Sequence, residues 1–436
     1  MIKKIILSTY YIIIPLLIIG ISIGYTSFAL SLATLIPLVL LSNRHTVGLF
    51  LLMYGGPLGG VIRAMYPTLP IYGILFQMIG LILMSDLVSD LLRHHFRYFV
   101  DMLFLLIVFG IFYLIGPETV FAKNKYSEMC IHGLLMLIGY YAYNRSNSID
   151  AEGLSQMLIV TSICMTAYVI NVISMSPGSL LDYNWFRDQS SSFYYSIDER
   201  EGGPLVGYQE IGLLALFGVS IFLAQTKLRT MRVLFYLACV SQLVLMSGCR
   251  QAILGLILVI IVRFVIINGN EFVRNNAIER AVRISLGLIA ALVLLILLIP
   301  NLNIGIVNET LAEGDQGRMI HYAESLAIFQ AHPLMGAGIG GYQALTDHVW
   351  PHNFFLELLS ETGILGTSVI LLFLIVPLIR KKVGLLHVTS SNMYYFLILL
   401  SIFIRVMFSA DFRLSIELFS AVFAVTSIES VLLTDD

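Results

Sequence analysis

Long apolar stretches recur along almost the whole chain, and short segments with Gly, Pro, Asn or charged residues separate them. A membrane-spanning helix needs about 20 mostly apolar residues, so each stretch predicts one span. The pattern predicts an all-α polytopic membrane protein with about 14 transmembrane helices, in the range 12–14. The predicted spans are 5–24, 27–42, 47–65, 70–90, 97–116, 127–144, 153–174, 205–225, 231–247, 250–268, 281–299, 353–379, 391–408 and 412–432.

Composition agrees with a membrane protein. The 436 residues are 58% hydrophobic and only 12% charged, and the mean hydropathy is +0.89. A soluble domain is typically about 25% charged, so no soluble core would hide this much apolar sequence. Net charge is −2 with no basic patch, so no nucleic-acid partner is expected. We expect a single integral membrane domain over residues 1–436.

Positive charges predict the orientation. Lys3 and Lys4 precede the first span, and every second loop after it is basic, as cytoplasmic loops are. Both termini are therefore expected in the cytoplasm. Two of the opposite, external loops are long, at about 175–204 and 300–352, and we expect the active-site region there.

The first long loop is rich in aromatic residues, including Trp185 and Tyr194, and it ends near Arg200. Aromatic faces beside amides and carboxylates suit the binding of sugar rings. The alternative is an aromatic belt at the membrane interface.

Two arginines lie where a cation is unusual. Arg250 is predicted at the external end between the ninth and tenth spans, where a buried guanidinium tends to mark function. Arg318 falls in the first turn of an amphipathic helix predicted over 317–331, which Asp315 would cap and Pro333 would end. A helix N-terminus prefers negative charge, so a cation there makes sense if an anion binds. The alternatives are a snorkelling and a solvated arginine.

Glycines cluster in GAGIGGY, Gly336 to Tyr342. A dinucleotide loop would need a preceding strand and a following helix, which the pattern does not predict. A tight turn close to a helix or a lipid headgroup fits better. Gly363 and Gly366 would likewise allow another helix to approach closely.

A polar stripe enters the twelfth predicted span. Asn353, Glu357 and Glu361 are spaced i, i+4, i+8, so they share one helix face. Carboxylates cannot face lipid, so the stripe faces either the bundle interior or a wet cavity. Its glutamates would line that cavity or join a structural ion-pair network. The candidates for such pairing are Arg405, Asp411 and Arg413.

His352 precedes this stripe, and its ordinary pKa near 6.5 suits proton transfer or a hydrogen bond to an oxyanion. A metal site built from Asp347, His348 and His352 is conceivable. Pro351 prevents a regular His-x-x-x-His helix, however, and no HExxH pattern is present. The sequence interpretation therefore assigns no metal ligands.

Several segments together resemble the O-antigen polymerase and O-antigen ligase superfamily. PHNFFLELLSETGILG contains H-N-x(9)-G-x-x-G, from His352 to Gly366. GRMIHYAESLAIFQAHPLMGAGIGGY resembles the family's Arg…Pro-Leu-x-Gly-x-Gly segment. LMSGCRQAILGL resembles its Ser-Gly-Ser-Arg-x-x-x-x-Gly element, with Cys249 replacing the second serine, and REGGPLVGYQEIG is weakly similar to an Arg-x-x-Gly segment. The resemblance covers roughly residues 200–380.

The resemblance implies metal-independent, inverting glycosyl transfer at the periplasmic face of the bacterial inner membrane, with no cofactor. The donor glycan is carried on undecaprenyl diphosphate. Arg200, Arg250 and Arg318 would hold the diphosphate, because a guanidinium matches phosphate oxygens bidentately. His352 would act as a base toward the acceptor hydroxyl or contact the diphosphate. Glu210, at the outer end of the eighth predicted span, is the other base candidate.

The acceptor separates two functions. Fourteen predicted spans and the single histidine before Asn353 favour a polymerase, whose acceptor is another undecaprenyl-diphosphate-linked repeat unit. The H-N-x(9)-G-x-x-G element favours a ligase, which uses lipid A–core. A lipid or polysaccharide transporter is the third alternative. Transporters often show repeats and broken helices at mid-membrane, whereas the polar residues of this sequence are predicted in external loops and at helix mouths. Partners would be membrane lipids and, for a polymerase, a chain-length regulator protein.

Overall fold

The described part of the chain is helical. The computed structural model describes residues 2–22, 27–65, 73–145, 149–173, 208–224, 250–263, 316–346, 348, 350–380, 393–408 and 412–426, with nine single positions in 236–249. These residues contain no strand. The helices are α1 Ile2–Ser22, α2 Phe28–Leu41, α3 Arg44–Met65, α4 Gly73–Leu83, α5 Ser85–His94, α6 Phe96–Leu114, α7 Val120–Arg145, α8 Ala151–Ile173, α9 Tyr208–Leu223, α10 Arg250–Ile261, α11 Gln316–Ala331, α12 Gly341–Leu345, α13 Phe354–Arg380, α14 Met393–Phe408 and α15 Phe412–Thr426.

Three of the described helices are long and apolar enough to cross a membrane: Phe96–Leu114, Ala151–Ile170 and Phe354–Ile379. A fourth span results if the short helices Ile74–Leu83 and Ser85–His94 form one broken segment. Five shorter apolar helices are also present. These features agree with a membrane-embedded protein, while the count of about 14 spans stays a prediction. The predicted span 70–90 is divided, because α4 ends at Leu83 and α5 begins at Ser85.

Contacts divide the chain into two compact units. The first comprises Met1–Met84, Asn147–Ile304 and Val388–Ser401. At its centre α8 packs against α1, α2, α3 and α9. The side chain of Ser162 donates a hydrogen bond to the Ile211 carbonyl at 2.8 Å, which satisfies a buried hydroxyl between α8 and α9.

The second unit comprises Ser85–Ser146, Gly305–His387 and Ile402–Asp436. Within it α7 packs along α15, while α13 contacts α6, α11 and α15. The apolar residues of α13 that remain exposed lie beyond Gly363, as expected for a face that meets lipid. They are Ile364, Leu365, Val369, Leu372, Ile375 and Ile379.

Helix α7 begins earlier than the predicted span 127–144. The side chain of Thr119 accepts a hydrogen bond from the Ala122 N–H at 3.0 Å, which caps the first turn. The extra turns place Lys125 inside the helix, and its side chain is fully buried. From this position Lys125 contacts two glutamates of α13.

Candidate active site

The polar stripe of α13 faces the interior of its own unit. Glu357, Ser360 and Glu361 are all fully buried. Lys125 Nζ donates to Glu357 Oε1 at 2.5 Å and to Glu361 Oε2 at 2.8 Å. Buried charges require such partners, because an isolated one would be very costly in a low-dielectric interior. The two glutamates therefore belong to a buried ion-pair network that joins α7 to α13.

The predicted pairing of these glutamates with Arg405 does not occur. Arg405 Nη1 instead lies 2.9 Å from Glu417 Oε2, one helix further along the chain. Tyr140 donates a hydrogen bond to the other oxygen of Glu417 at 2.7 Å. Asp411 lies outside the described residues, and only the backbone of Arg413 is described.

Helix α13 is interrupted at Gly363, whose φ of 61° and ψ of −167° are not helical. Segment 333–338 fills the interruption: Ala337 and Gly338 N–H donate to the Ser360 and Glu361 carbonyls at 2.8 and 2.9 Å. In return, Ile364 and Leu365 N–H donate to the Pro333 and Leu334 carbonyls. We call this contact between 333–338 and 360–365 the glycine seam. It supplies partners for backbone groups that a broken helix would otherwise leave without them.

Glycines make the seam sterically feasible. A Cβ on Gly336 would collide with the Glu361 backbone, and one on Gly363 would collide with the Leu334 carbonyl. Both glycines also have positive φ, which L-residues rarely adopt. The expectation of a tight glycine turn close to a helix is confirmed. Gly366 lies outside the seam, and its lack of a side chain makes room for the ring of Phe112, with which a Cβ would collide.

Asn353 starts α13 as its N-cap. Its Oδ1 accepts hydrogen bonds from Phe355 and Leu356 N–H at 3.0 and 3.1 Å. The amide nitrogen donates to the Met407 carbonyl at 3.3 Å. Asn353 is therefore held in place from both sides, and it fixes where the chain of His352 enters the helix.

Among the described residues, His352 is the one residue other than glycine that has a positive φ, which is 57°. Such backbone strain persists only where the surroundings impose it, and it often occurs at functional sites. Trp350 Nε1 donates a hydrogen bond to His352 Nδ1 at 3.1 Å. Because an indole N–H can only donate, Nδ1 must accept, and the neutral ring then has its proton on Nε2.

A second polar group lies beside His352. The rings of His321 and His352 have centroids 5.5 Å apart, and those of His321 and His348 are 4.2 Å apart. Burial, followed by the neighbouring His348, lowers the pKa of His321. Arg318, one turn earlier on α11, acts in the same direction. The structure thus gathers Arg318, His321 and His352 into one neighbourhood.

Glu324 completes this neighbourhood. Tyr342, which is fully buried, donates its hydroxyl proton to Glu324 Oε2 at 2.7 Å. Burial, together with this hydrogen bond, raises the pKa of Tyr342. The glycine-rich turn places Tyr342 here, because α12 begins at Gly341, directly after the left-handed Gly340.

The other predicted site residues lie elsewhere in the chain. Glu210 is in the first turn of α9, and Arg250 is the first residue of α10, with only its backbone described. Both belong to the first compact unit. Arg200, Trp185 and Tyr194 lie outside the described residues. Of the predicted set, the structure therefore brings together Arg318, His352, Asn353, Glu357 and Glu361 within the second unit.

Sequence reasoning missed Lys125, Trp350, His321 and Glu324, and it named His348 only as part of a metal site that it did not adopt. For Lys125 a signal existed, since a lysine two residues before a span can pair with acidic residues of another. For His321 and Glu324 the signal was their i, i+3 spacing, which places both on one helix face. Nothing local marked Trp350, because its role depends on how the loop before α13 folds back.

The comparisons with known proteins find a family similarity over part of the chain. The family model described as O-antigen ligase matches residues 234–371, less than half of the chain. The matched segment includes α10, α11, the glycine seam and His352. No curated protein matches the chain. Over this segment the chain is similar to O-antigen ligases, which supports the O-antigen polymerase and ligase superfamily and an enzymatic role in the membrane.

Proposed function

We propose that the protein transfers a glycan from undecaprenyl diphosphate to an acceptor hydroxyl by metal-independent, inverting glycosyl transfer at the periplasmic face of the inner membrane. The acceptor oxygen attacks the anomeric carbon from the face opposite the diphosphate. The carbon–oxygen bond to the diphosphate breaks, and the diphosphate keeps the electron pair. The hydroxyl proton leaves to a base. The grouping of Arg318 with the strained His352, inside the segment that matches the family model, is the observation that carries this proposal.

The main electrostatic requirement of the reaction is to stabilise the negative charge of the leaving group. Charge develops on the diphosphate as the bond breaks, so fixed cations and N–H donors near it lower the barrier. Arg318 lies in the first turn of α11, where the helix dipole also favours an anion. By the sequence resemblance, Arg250 and Arg200 are the other guanidinium groups proposed to contact the diphosphate.

His352 fits the role of donor to the diphosphate better than that of base. Its Nδ1 accepts from Trp350, so the neutral ring presents an N–H at Nε2. A base would need a lone pair there instead. The base is then assigned elsewhere, and Glu210 in the first turn of α9 is our candidate.

Transport is the weaker explanation, even though α13 is broken. Broken transporter helices use their free carbonyls to bind ions. In α13, N–H groups of the glycine seam occupy the Ser360 and Glu361 carbonyls. The break therefore joins two parts of the protein, and each of those carbonyls already has a hydrogen-bond partner.

Between the two transferases we propose the polymerase. Proline, not a second histidine, precedes His352, in agreement with the polymerase alternative. The ligase remains the second candidate, because the matching family model is described as O-antigen ligase. Purified protein incubated with lipid-linked repeat units alone should give a ladder of longer glycans. Product that forms only after lipid A–core is added would replace the polymerase by the ligase.

The diphosphate clamp has its own test. Arg318→Ala and His352→Ala should each lower the transfer rate by about 100-fold or more, the size seen when a transition-state hydrogen-bond donor is removed. Arg97→Ala is the matched control, because Arg97 is 76% exposed and pairs only loosely with Asp101. Undiminished transfer by a variant that lacks both Arg250 and Arg318 would rule out the clamp.

A further inference from the structure

His321, Glu324 and His348 form a compact group of nitrogen and oxygen atoms beside the proposed catalytic histidine. His321 and Glu324 extend from the same face of α11, and His348 comes from the loop after α12. One ligand atom from each residue can be chosen so that all three atoms lie within 4.8 Å of one another. Two of the separations, from Glu324 Oε2 to His321 Nδ1 and from Glu324 Oε1 to His348 Nε2, are each 3.7 Å.

These separations are close to those of a metal site. With metal–nitrogen bonds of about 2.0 Å, two ligands of a tetrahedral zinc ion lie roughly 3.3 Å apart. A small inward shift of the side chains would reach that separation. His348 sits in a loop and is 41% exposed, so it has room to move.

A neighbouring residue, Tyr342, also orients one of the three proposed ligands. Tyr342 is fully buried and holds one oxygen of Glu324 through a 2.7 Å hydrogen bond, which orients the carboxylate as outer-shell partners of metal ligands do. The three side chains are only partly buried, so an ion could enter from solvent.

We propose that His321, Glu324 and His348 bind a divalent transition-metal ion of the zinc class. Two imidazoles and one carboxylate form the donor set of open zinc sites, in which the fourth position stays accessible to water. Imidazole ligands favour zinc-type ions, whereas magnesium and calcium prefer oxygen ligands alone. The site lies beside His352 but does not include it, and the ion has no part in the transfer step proposed above.

A binding measurement tests this site without any glycan substrate, so its outcome is independent of the proposed transferase activity. Full-length purified protein in detergent is titrated with Zn²⁺ in competition with a chromogenic chelator, and then with Mg²⁺. We expect one Zn²⁺ per chain and much weaker Mg²⁺ binding. His348→Ala and His321→Ala should each weaken Zn²⁺ binding at least tenfold.

His332→Ala is the matched control, because His332 is an exposed histidine just beyond the end of the same helix. It should leave Zn²⁺ affinity unchanged. Equal affinity of the His321→Ala variant and the parent protein, or no preference for Zn²⁺ over Mg²⁺, would overturn the proposal. If His321→Ala fails to fold, the loop variant His348→Ala decides the question alone.

Discussion

Lys125 Nζ lies 2.8 Å from Glu361 Oε2, and both side chains are completely buried. The same ammonium donates to Glu357 Oε1, so one cation serves two carboxylates of α13. Segment 333–338 of the glycine seam reaches the same turn of α13, through the Ser360 and Glu361 carbonyls. The ion-pair network therefore fixes the turn of α13 to which the loop before α12 is joined.

Replacing Lys125 by methionine should destabilise the protein strongly. Two buried carboxylates would lose their cation, and breaking a buried pair typically costs about 3–5 kcal/mol. The free energy of unfolding in detergent, or the midpoint of thermal unfolding, measures the effect. Lys123→Met is the control, because Lys123 is exposed two residues away. Adding Glu357→Gln and Glu361→Gln to Lys125→Met should recover part of the loss, and equal stability of the single variant and the control would contradict the network.

Gly363→Ala should disrupt the seam. Alanine disfavours the combination of φ 61° and ψ −167°, which is essentially restricted to glycine, by about 1–3 kcal/mol, and its Cβ would also collide with the Leu334 carbonyl. We expect lower thermal stability together with lower transfer activity, since the seam positions the loop that leads to Tyr342. Leu365→Ala, at an exposed position on the far side of the break, should be mild. Equal effects of the two changes would argue against a special role for Gly363.

Trp350→Phe tests the hydrogen bond to His352 while keeping an aromatic ring. Without the indole N–H, the proton of His352 is no longer confined to Nε2. The transfer rate should fall by about tenfold, the smaller of the losses seen when the hydrogen-bond partner that orients a histidine is removed, with little change in KM. The pH–rate profile should also shift, whereas a purely structural role of Trp350 would lower stability and leave the profile in place.

Arg318→Lys separates geometry from charge. Lysine keeps the positive charge but loses the planar fork that binds phosphate oxygens bidentately. If Arg318 contacts the diphosphate, transfer should fall well below that of the parent and stay above that of Arg318→Ala. Steady-state rates with lipid-linked repeat units measure the order of the three proteins. Full activity of the lysine variant would mean that charge alone is required.

Much of the local structure follows from sequence. The helix predicted over 317–331 is observed as Gln316–Ala331, since the apolar spacing and Pro333 determine its extent. The glycine turn was predicted because few residues other than glycine adopt positive φ. These inferences depend on neighbours along the chain, and such features are the ones that local patterns record.

The parts that sequence missed depend on distant residues. Lys125 and Glu361 are 236 residues apart, and no local pattern pairs a particular lysine with a particular glutamate. Arg405 was an equally reasonable partner until packing placed it beside Glu417. The apolar residues Ile320 and Leu326 of α11 are exposed, whereas an amphipathic helix would ordinarily bury that side. The spacing of apolar residues along a helix does not show whether an exposed side of that helix meets water, lipid or substrate.

The glycine seam has a consequence for how this region can change. Its hydrogen bonds join main-chain atoms only, so side chains at positions other than Gly336 and Gly363 can be exchanged while these hydrogen bonds are kept. Insertion or deletion of one residue in 333–338 would, by contrast, shift every donor relative to its acceptor. The loop and helix α13 are thus matched by length and by glycine position, so their contact tolerates side-chain substitution outside the glycines but not a change of register.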